Sequence, residues 1–372
     1  MKEELFARLS RRYLALDIHK HYSVVAGVDF EGQVIVEPVR IEHADLESWL
    51  AKHIQSTDHV VIESTTNAWH IYDLLEPLAE KVLVANPIKV KQIATARVKT
   101  DIRDTLILAR MLAANMIPAI WVPPAHVRNL RYLLSQRRHL MGMHTQTVNR
   151  MHSVAHRHHL KHARGKRFNQ KNTKWQQDEH LSDSEKFQLE LEMTTKQHLA
   201  EQAGKITKKL ARMSHQKPWA DSMLYLMQLP GFGVITGMTV LAAIGDIHRF
   251  ETSGHLVSYS GLVPGLEQSG VKLRNKRITK EGRKDLRWAM VEVAQRAVKS
   301  DPLWKHRFNA LQRRMHRNPV RAASPSGRDG QAIVAIARQL LELVLVVERH
   351  RSRWLDPPAI HALLPDAFGY WT

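Results

Sequence analysis

The sequence predicts an α/β N-terminal domain, then a long helical middle segment, then a mainly α C-terminal domain. Three observations carry this reading. Short β-branched runs alternate with helix-favouring segments up to about residue 122. Pro123-Pro124 then interrupts the chain, and apolar residues begin to recur at three- and four-residue steps. Beyond residue 218, glycine-containing turns separate further helical segments. The expected boundaries are therefore 1–122, 123–217 and 218–372.

In the first domain, Tyr13 to Lys20 reads as a strand carrying an acid, and Tyr22 to Val28 as its hairpin partner. Gln33 to Val36 is expected as a third strand after the turn at Glu31-Gly32. Ala44 to His53 reads as an amphipathic helix, and His59 to Ser64 as a buried strand ending on Glu63. A helix over Trp69 to Glu76 and a strand over Lys81 to Pro87 follow. Asp101-Ile102-Arg103-Asp104 then opens a helix whose apolar run continues through Leu108. Positions i and i+3 share a helix face, so both aspartates point the same way. Two reasons for them stand side by side. Asp101 can cap the helix and Asp104 favour its positive end, or the pair can hold a hard cation that offsets their repulsion.

Asp17 interrupts an apolar strand, where an unpaired carboxylate is costly to bury. Acids at strand ends of an open sheet face the crevice where ligands bind. Asp17, Glu63, Asp101 and Asp104 gathered there would suit paired metal ions and phosphodiester chemistry.

The middle segment is expected as two long helices, Val127 to Val154 and Leu181 to Met213, forming a helical hairpin or coiled coil. Leu130, Leu133, Leu134, Leu140 and Met143 make the stripe of the first; Leu189, Leu199, Ile206 and Leu210 that of the second. Between them the stretch from Arg150 to Trp175 contains no acid. Its cations Arg157, Lys161, Arg164, Lys166 and Arg167, interleaved with Phe168 and Trp175, suit phosphates and stacked bases of RNA. The alternative is a solvated loop. His158, His159 and His162 lack a neighbouring acid or cysteine in sequence to complete a zinc site.

In the last third, Leu229-Pro230-Gly231-Phe232-Gly233 reads as the turn of a helix-hairpin-helix. Gly231 and Gly233 there would expose backbone N–H groups to a DNA phosphate, or simply let helices pack closely. No Gly-Lys-Ser/Thr follows, so this is not a nucleotide-binding loop. Ser269 precedes a basic cluster that includes Lys272, Arg274, Lys276, Arg277, Lys280 and Arg283. A serine so placed could attack a phosphodiester while the cations stabilise developing charge; a Ser-Gly pair is otherwise an ordinary turn. Trp304 to Arg317 reads as a basic helix, Ala322 to Gly330 as a loop, and Gln331 to Arg349 as an apolar helix. Arg338, Glu342 and Glu348 argue for a core or dimer helix there rather than a membrane span.

The 372-residue chain carries 55 Lys and Arg against 36 Asp and Glu, a formal net charge of +19. This balance calls for a polyanionic partner, nucleic acid before a membrane surface. It has no cysteine, so disulfides and thiolate metal sites are excluded, in keeping with a cytosolic protein.

Leu16-Asp17-Ile18-His19-Lys20, Val61-Ile62-Glu63-Ser64-Thr65 and Lys99-Thr100-Asp101-Ile102-Arg103-Asp104 resemble the acidic motifs of the DEDD transposases of the IS110 insertion-sequence family. Gly261-Leu262-Val263-Pro264, Gln268-Ser269-Gly270 and Ile278-Thr279-Lys280-Glu281-Gly282 resemble that family's second block. The resemblance implies a RuvC-like, ribonuclease-H-like N-terminal fold with Asp17, Glu63, Asp101 and Asp104 as a Mg²⁺-binding tetrad. It implies a coiled-coil middle and Ser269 as nucleophile in a covalent serine–DNA intermediate. It further implies donor and target DNA, a structured non-coding guide RNA and a homo-oligomer, dimer or tetramer. The basic run Lys272 to Lys276 departs from relatives richer in glycine. The acids alone would equally suit a junction nuclease using water, a Holliday-junction resolvase among them.

Overall fold

A computed structural model describes residues 11–93, 100–159, 179–269, 272–316 and 325–349. The chain divides into two compact units, Met1–Val122 and Pro123–Thr372. The segments expected as a separate middle and C-terminal domain thus belong to one unit.

The first unit is built on a six-stranded sheet. Its strands are β1 (Tyr13–Ile18), β2 (Tyr22–Val28), β3 (Val34–Glu42), β4 (His59–Glu63), β5 (Lys81–Ala85) and β6 (Ala119–Ile120), in the order β3-β2-β1-β4-β5-β6. β1 runs parallel to β4, and β4 to β5; the remaining pairs are antiparallel. Alternation decides which side chain faces which layer. Leu14, Leu16 and Ile18 of β1 pack with Leu46 and Leu50 of α1 (His43–His53) and Ile71 and Leu75 of α2 (Ala68–Leu75). Tyr13 and Ala15 lie on the opposite face, with Val61 of β4, under Leu108, Ala109 and Leu112 of α4 (Asp101–Ala113). The short α3 (Pro87–Ile93) precedes α4 and adds Val90 to that layer.

The sheet begins with a buried ion pair. Arg12 reaches Asp58 through two hydrogen bonds, 2.8 Å from Nε to Oδ1 and 2.6 Å from a terminal nitrogen to Oδ2. Gln55 N–H donates to the same carboxylate, and the Asp58 carbonyl accepts from Glu80 and Lys81 at the start of β5. His59 N–H in turn donates to the Arg12 carbonyl. Backbone and side-chain bonds of Arg12 and Asp58 together tie the starts of β1, β4 and β5 to one another.

Two local expectations change. β3 continues to Glu42, far past Val36. It lies at the sheet edge, where Pro38 removes no interior ladder bond. Asp101 is the first helical residue of α4 rather than its cap: the Thr100 hydroxyl accepts from Arg103 N–H at 3.3 Å.

In the second unit, α5 (Ala125–Arg157) and α6 (Asp183–Ser214) pack antiparallel. Arg137 meets Thr207, Arg150 meets Glu192 and His158 meets Glu185, so position rises along one helix as it falls along the other. Leu130, Leu134, Leu189, Leu199 and Leu210 are buried as expected, but Met143 is exposed. α6 starts with a capping box, the Ser182 hydroxyl and the Glu185 carboxylate each serving the other's backbone N–H.

Helices α7 (Ala220–Leu226), α8 (Val234–Ile244) and α9 (Ser253–Ser260) follow. α8 is buried from Thr236 through Ile244, which is why its sequence shows no polar face. Next comes a hairpin of β7 (Pro264–Ser269) and β8 (Lys272–Ile278), an element not anticipated because a charged, glycine-containing stretch lacks β-branched periodicity. Helices α10 (Lys284–Ser300), α11 (Pro302–His316) and α12 (Pro325–Arg349) complete the unit. α12 begins at Pro325, inside the expected loop; proline suits a first helical position because its missing N–H would have had no partner there. Its stretch from Asp329 is long and apolar enough to cross a membrane by composition, yet Ala332, Ile336, Ala337, Leu340 and Leu341 are buried in the unit.

Candidate metal centre and nucleic-acid-binding segments

Asp17 is the fifth residue of β1 and Glu63 the last of β4. Leu16 is in register with Ile62, so the two acids occupy the next position on neighbouring parallel strands, on the face covered by α4. α4 brings its N-terminus to the same edge. Asp101 and Asp104 sit in its first turn.

Just beyond β1 the chain reverses, with His19 N–H donating to the Tyr22 carbonyl at 2.9 Å. This returns the imidazole over the acids. His19 Nε2 lies 3.2 Å from Asp17 Oδ2 and 3.3 Å from Asp101 Oδ2. The nitrogen is shielded from solvent, yet it aligns with neither oxygen as a directed hydrogen bond. One donor atom from each of Asp17, His19 and Asp101 lies within 4.8 Å of the others. The Tyr22 hydroxyl donates to Asp101 Oδ2 at 3.0 Å, and its ring stacks on the His19 ring at 4.5 Å.

The electrostatics are those of crowded acids. Burial pushes the Asp17 carboxyl up, His19 pulls it back, and the charges of Asp101 and Asp104 push it up again. The hydrogen bond to Asp101 raises the Tyr22 phenol. A divalent cation relieves this repulsion, and a shielded imidazole nitrogen close to two carboxylates offers it a further donor atom. The residues therefore fit a metal.

The structure thus joins Asp17 with Asp101, sets Asp104 within electrostatic reach, and places Glu63 at the same sheet edge. His19 and Tyr22 carried no assigned role from sequence. The Asp-x-His spacing was the available signal, but only the chain reversal after β1 shows that the ring turns back.

The expected nucleic-acid contacts divide. Lys161, Arg164, Lys166 and Arg167 lie outside the described residues, as do the side chains of Ser269, Lys272, Arg274 and Lys276. The backbone places Ser269 at the end of β7, paired with Lys272. Arg157 is exposed and lies 3.6 Å from Glu185. Arg277 and Lys280 are exposed at and just after the end of β8. Arg283 instead turns inward, making 3.0 and 2.5 Å contacts to Asp285, so its charge is met within the protein. Nearby Arg131 donates to the carbonyls of Ala242 and Ala243 at the end of α8; burial lowers its guanidinium to about 10.

The turn between α7 and α8 shows what its glycines do. Gly231 has φ +85°, and a Cβ there would lie 2.2 Å from the Val293 carbonyl oxygen of α10. Gly233 N–H donates to the Thr236 hydroxyl at 2.9 Å. Close helix packing and a helix start account for both. His158, read as lacking an acid, finds one through tertiary structure: its Nε2 lies 2.8 Å from Glu185 on α6.

Two family models match the chain. Residues 14–160 match a DEDD-type IS110 transposase model, and residues 223–309 match the Transposase IS116/IS110/IS902 family. A putative transposase (y4qE) of Sinorhizobium fredii is 30% identical over 241 residues, which are 62% of this chain and 56% of that protein. The pilin gene-inverting protein of Moraxella bovis is 28% identical across 82% of this chain and 85% of its own length. The transposase for insertion sequence element IS1111A of Coxiella burnetii is 26% identical across 76% and 77%. The acids gathered at the sheet edge fall in the first matched region and the β7–β8 hairpin in the second; in both regions the chain is similar to the IS110 family of transposases.

Proposed function

We propose that this protein is the transposase of an insertion sequence, cutting and rejoining DNA at specific sites through a covalent serine–DNA intermediate. The convergence of Asp17 and Asp101, with Asp104 beside them, at the edge of a mixed sheet carries the reading. Asp17, Glu63, Asp101 and Asp104 would hold Mg²⁺. Bound there, the ion supplies positive charge to a scissile phosphate and favours the ionised form of an attacking hydroxyl.

In this scheme the Ser269 hydroxyl oxygen forms an ester with the DNA phosphorus and the bond to a deoxyribose oxygen breaks. The serine proton passes to that leaving oxygen. A deoxyribose hydroxyl of the second DNA then reverses the step, freeing the serine. Exposed Arg277 and Lys280 supply cations for the DNA backbone near the hairpin. Arg157, Lys161, Arg164, Lys166 and Arg167 form the grip for a structured guide RNA, carried by a coiled-coil pair, α5 and α6, within a homo-oligomer. Gly231 and Gly233 would serve a helix-hairpin-helix only by shaping its turn, since the Gly233 N–H is already met by the Thr236 hydroxyl. The Moraxella relative is named for inverting a pilin gene, a DNA rearrangement in keeping with this reading.

The test is labelled donor DNA incubated with the protein, its co-purified RNA and Mg²⁺, with products run on a denaturing gel with and without protease. A protease-sensitive adduct in wild type, absent in Ser269→Ala and Asp104→Asn, is the expected result. Metal-dependent cleavage without an adduct, unchanged in Ser269→Ala, would replace this mechanism with a water-using nuclease.

A further inference from the structure

We infer that His19 is itself a metal ligand, so that the centre at Asp17 is a mixed nitrogen and oxygen site that binds a first-row transition ion of the Mn²⁺ class in preference to Mg²⁺. The inference rests on the reading that the acids hold a divalent cation, and it adds an unassigned ligand and a metal selectivity.

The geometry of the ring is the first argument. Donor atoms sharing one ion sit roughly 2.0–2.3 Å from it and so lie a few Å from one another. Nε2 is 3.2 and 3.3 Å from one oxygen of each aspartate, within that range. A histidine serving only as a counter-charge would turn to donate a directed hydrogen bond to one carboxylate. Here the shielded nitrogen lies at nearly equal distance from an oxygen of each and meets the geometry of a directed hydrogen bond to neither.

The second argument is how the ring is held. The backbone of His19 is fixed at both ends: its N–H donates to the Tyr22 carbonyl at 2.9 Å, and its carbonyl accepts from Asn67 Nδ2 at 3.4 Å. The Tyr22 ring stacks on the imidazole, and the Arg40 guanidinium lies 3.7 Å from the Tyr22 ring centre. The Tyr22 hydroxyl also donates to Asp101 Oδ2, so one side chain orients both donors. Such support of first ligands by their neighbours is what metal centres need, because a loose ligand loses affinity.

Selectivity follows from the donor set. Mg²⁺ prefers oxygen ligands and gives up water reluctantly. An imidazole nitrogen adds little for Mg²⁺ but more along the first transition row.

The experiment uses the full-length protein with Mn²⁺ and Mg²⁺ as probes, for wild type, His19→Gln and Asp101→Asn. Affinities come from calorimetry, and pulsed paramagnetic resonance of bound Mn²⁺ reads nitrogen coupling. Wild type is expected to show ¹⁴N coupling that vanishes in His19→Gln, while Mn²⁺ stays bound with affinity lowered about tenfold or more. Mg²⁺ affinity should change by less than about threefold. Thermal unfolding of His19→Gln at the wild-type midpoint confirms that the fold is intact. If Mn²⁺ binds wild type and is lost in Asp101→Asn, but no ¹⁴N coupling is seen, His19 is not a ligand and the inference fails while the acidic centre stands. If Asp101→Asn binds both ions as wild type does, the acidic centre itself fails and the inference with it.

Discussion

Replacing Arg12 by alanine should destabilise the first unit by about 3 kcal/mol, because it strips a fully buried carboxylate of its cation. Asp58 has no exposed surface and takes two hydrogen bonds from Arg12, with one further bond from Gln55 N–H. Removing one partner of a buried pair costs about 3–5 kcal/mol, since the remaining charge is desolvated and unmet. The Arg12 side chain is 23% exposed, so water reaches the vacated volume and the lower end applies. The loss falls where β1, β4 and β5 begin, so amide exchange at Val60, Val61 and Ile62 should accelerate roughly 100-fold, which is the same free energy at about 1.4 kcal/mol per decade. Urea unfolding followed by circular dichroism gives the global number, and hydrogen exchange locates it. The double variant Arg12→Met with Asp58→Leu should recover most of the loss, because a well-packed apolar pair has no charge to strand. A cost below about 1 kcal/mol for Arg12→Ala, or a double variant no better than the single, would show that this pair does not hold the strand starts together. Asp17 and Glu63 would then owe their adjacency to the strand ladders alone.

Gly231→Ala should lower the stability of the second unit by about 2 kcal/mol or more, through its left-handed backbone and the clash with the Val293 carbonyl; a thermal midpoint within one degree of wild type would refute this. The Glu185 carboxyl is held down at about 2 by hydrogen bonds from His158 and Ser182. A depressed carboxyl contributes stability that is present above its ordinary value and lost as pH falls from there toward 2. Carbon-detected titration of Glu185 should therefore show a midpoint well below other glutamates, and His158→Ala should move it up.

Much of the sheet was legible because its core strands repeat β-branched residues with turns at their ends. Tyr22–Val28 is read to the residue, and His59–Glu63 to within one. The two long helices were legible from their spacing, with ends shifted by a few residues. Where the sequence was less legible, pairing partners rather than the pattern of any one segment decided. β3 runs past Pro38 because it lies at a sheet edge, which no local pattern reports. The β7–β8 hairpin forms from a charged stretch whose ladder is satisfied by its own return strand. Arg283 resembles its basic neighbours in sequence, yet Asp285 and the fold around Tyr259 turn it inward.

For the candidate metal centre, the sequence by itself determined the inventory: four acids in order, the elements that bear them, and the absence of thiolate alternatives. Those features are local, written in strand period, helix spacing and composition. Only the tertiary structure decided the company these acids keep. Parallel pairing set Asp17 level with Glu63, the packing of α4 over Ala15 and Val61 delivered Asp101 and Asp104, and the reversal at His19 and Tyr22 added a nitrogen between two carboxylates. Each contact joins residues far apart in sequence, except the reversal itself. It is the burial of apolar faces on both sides of the sheet, and no pattern in any one segment, that holds them together.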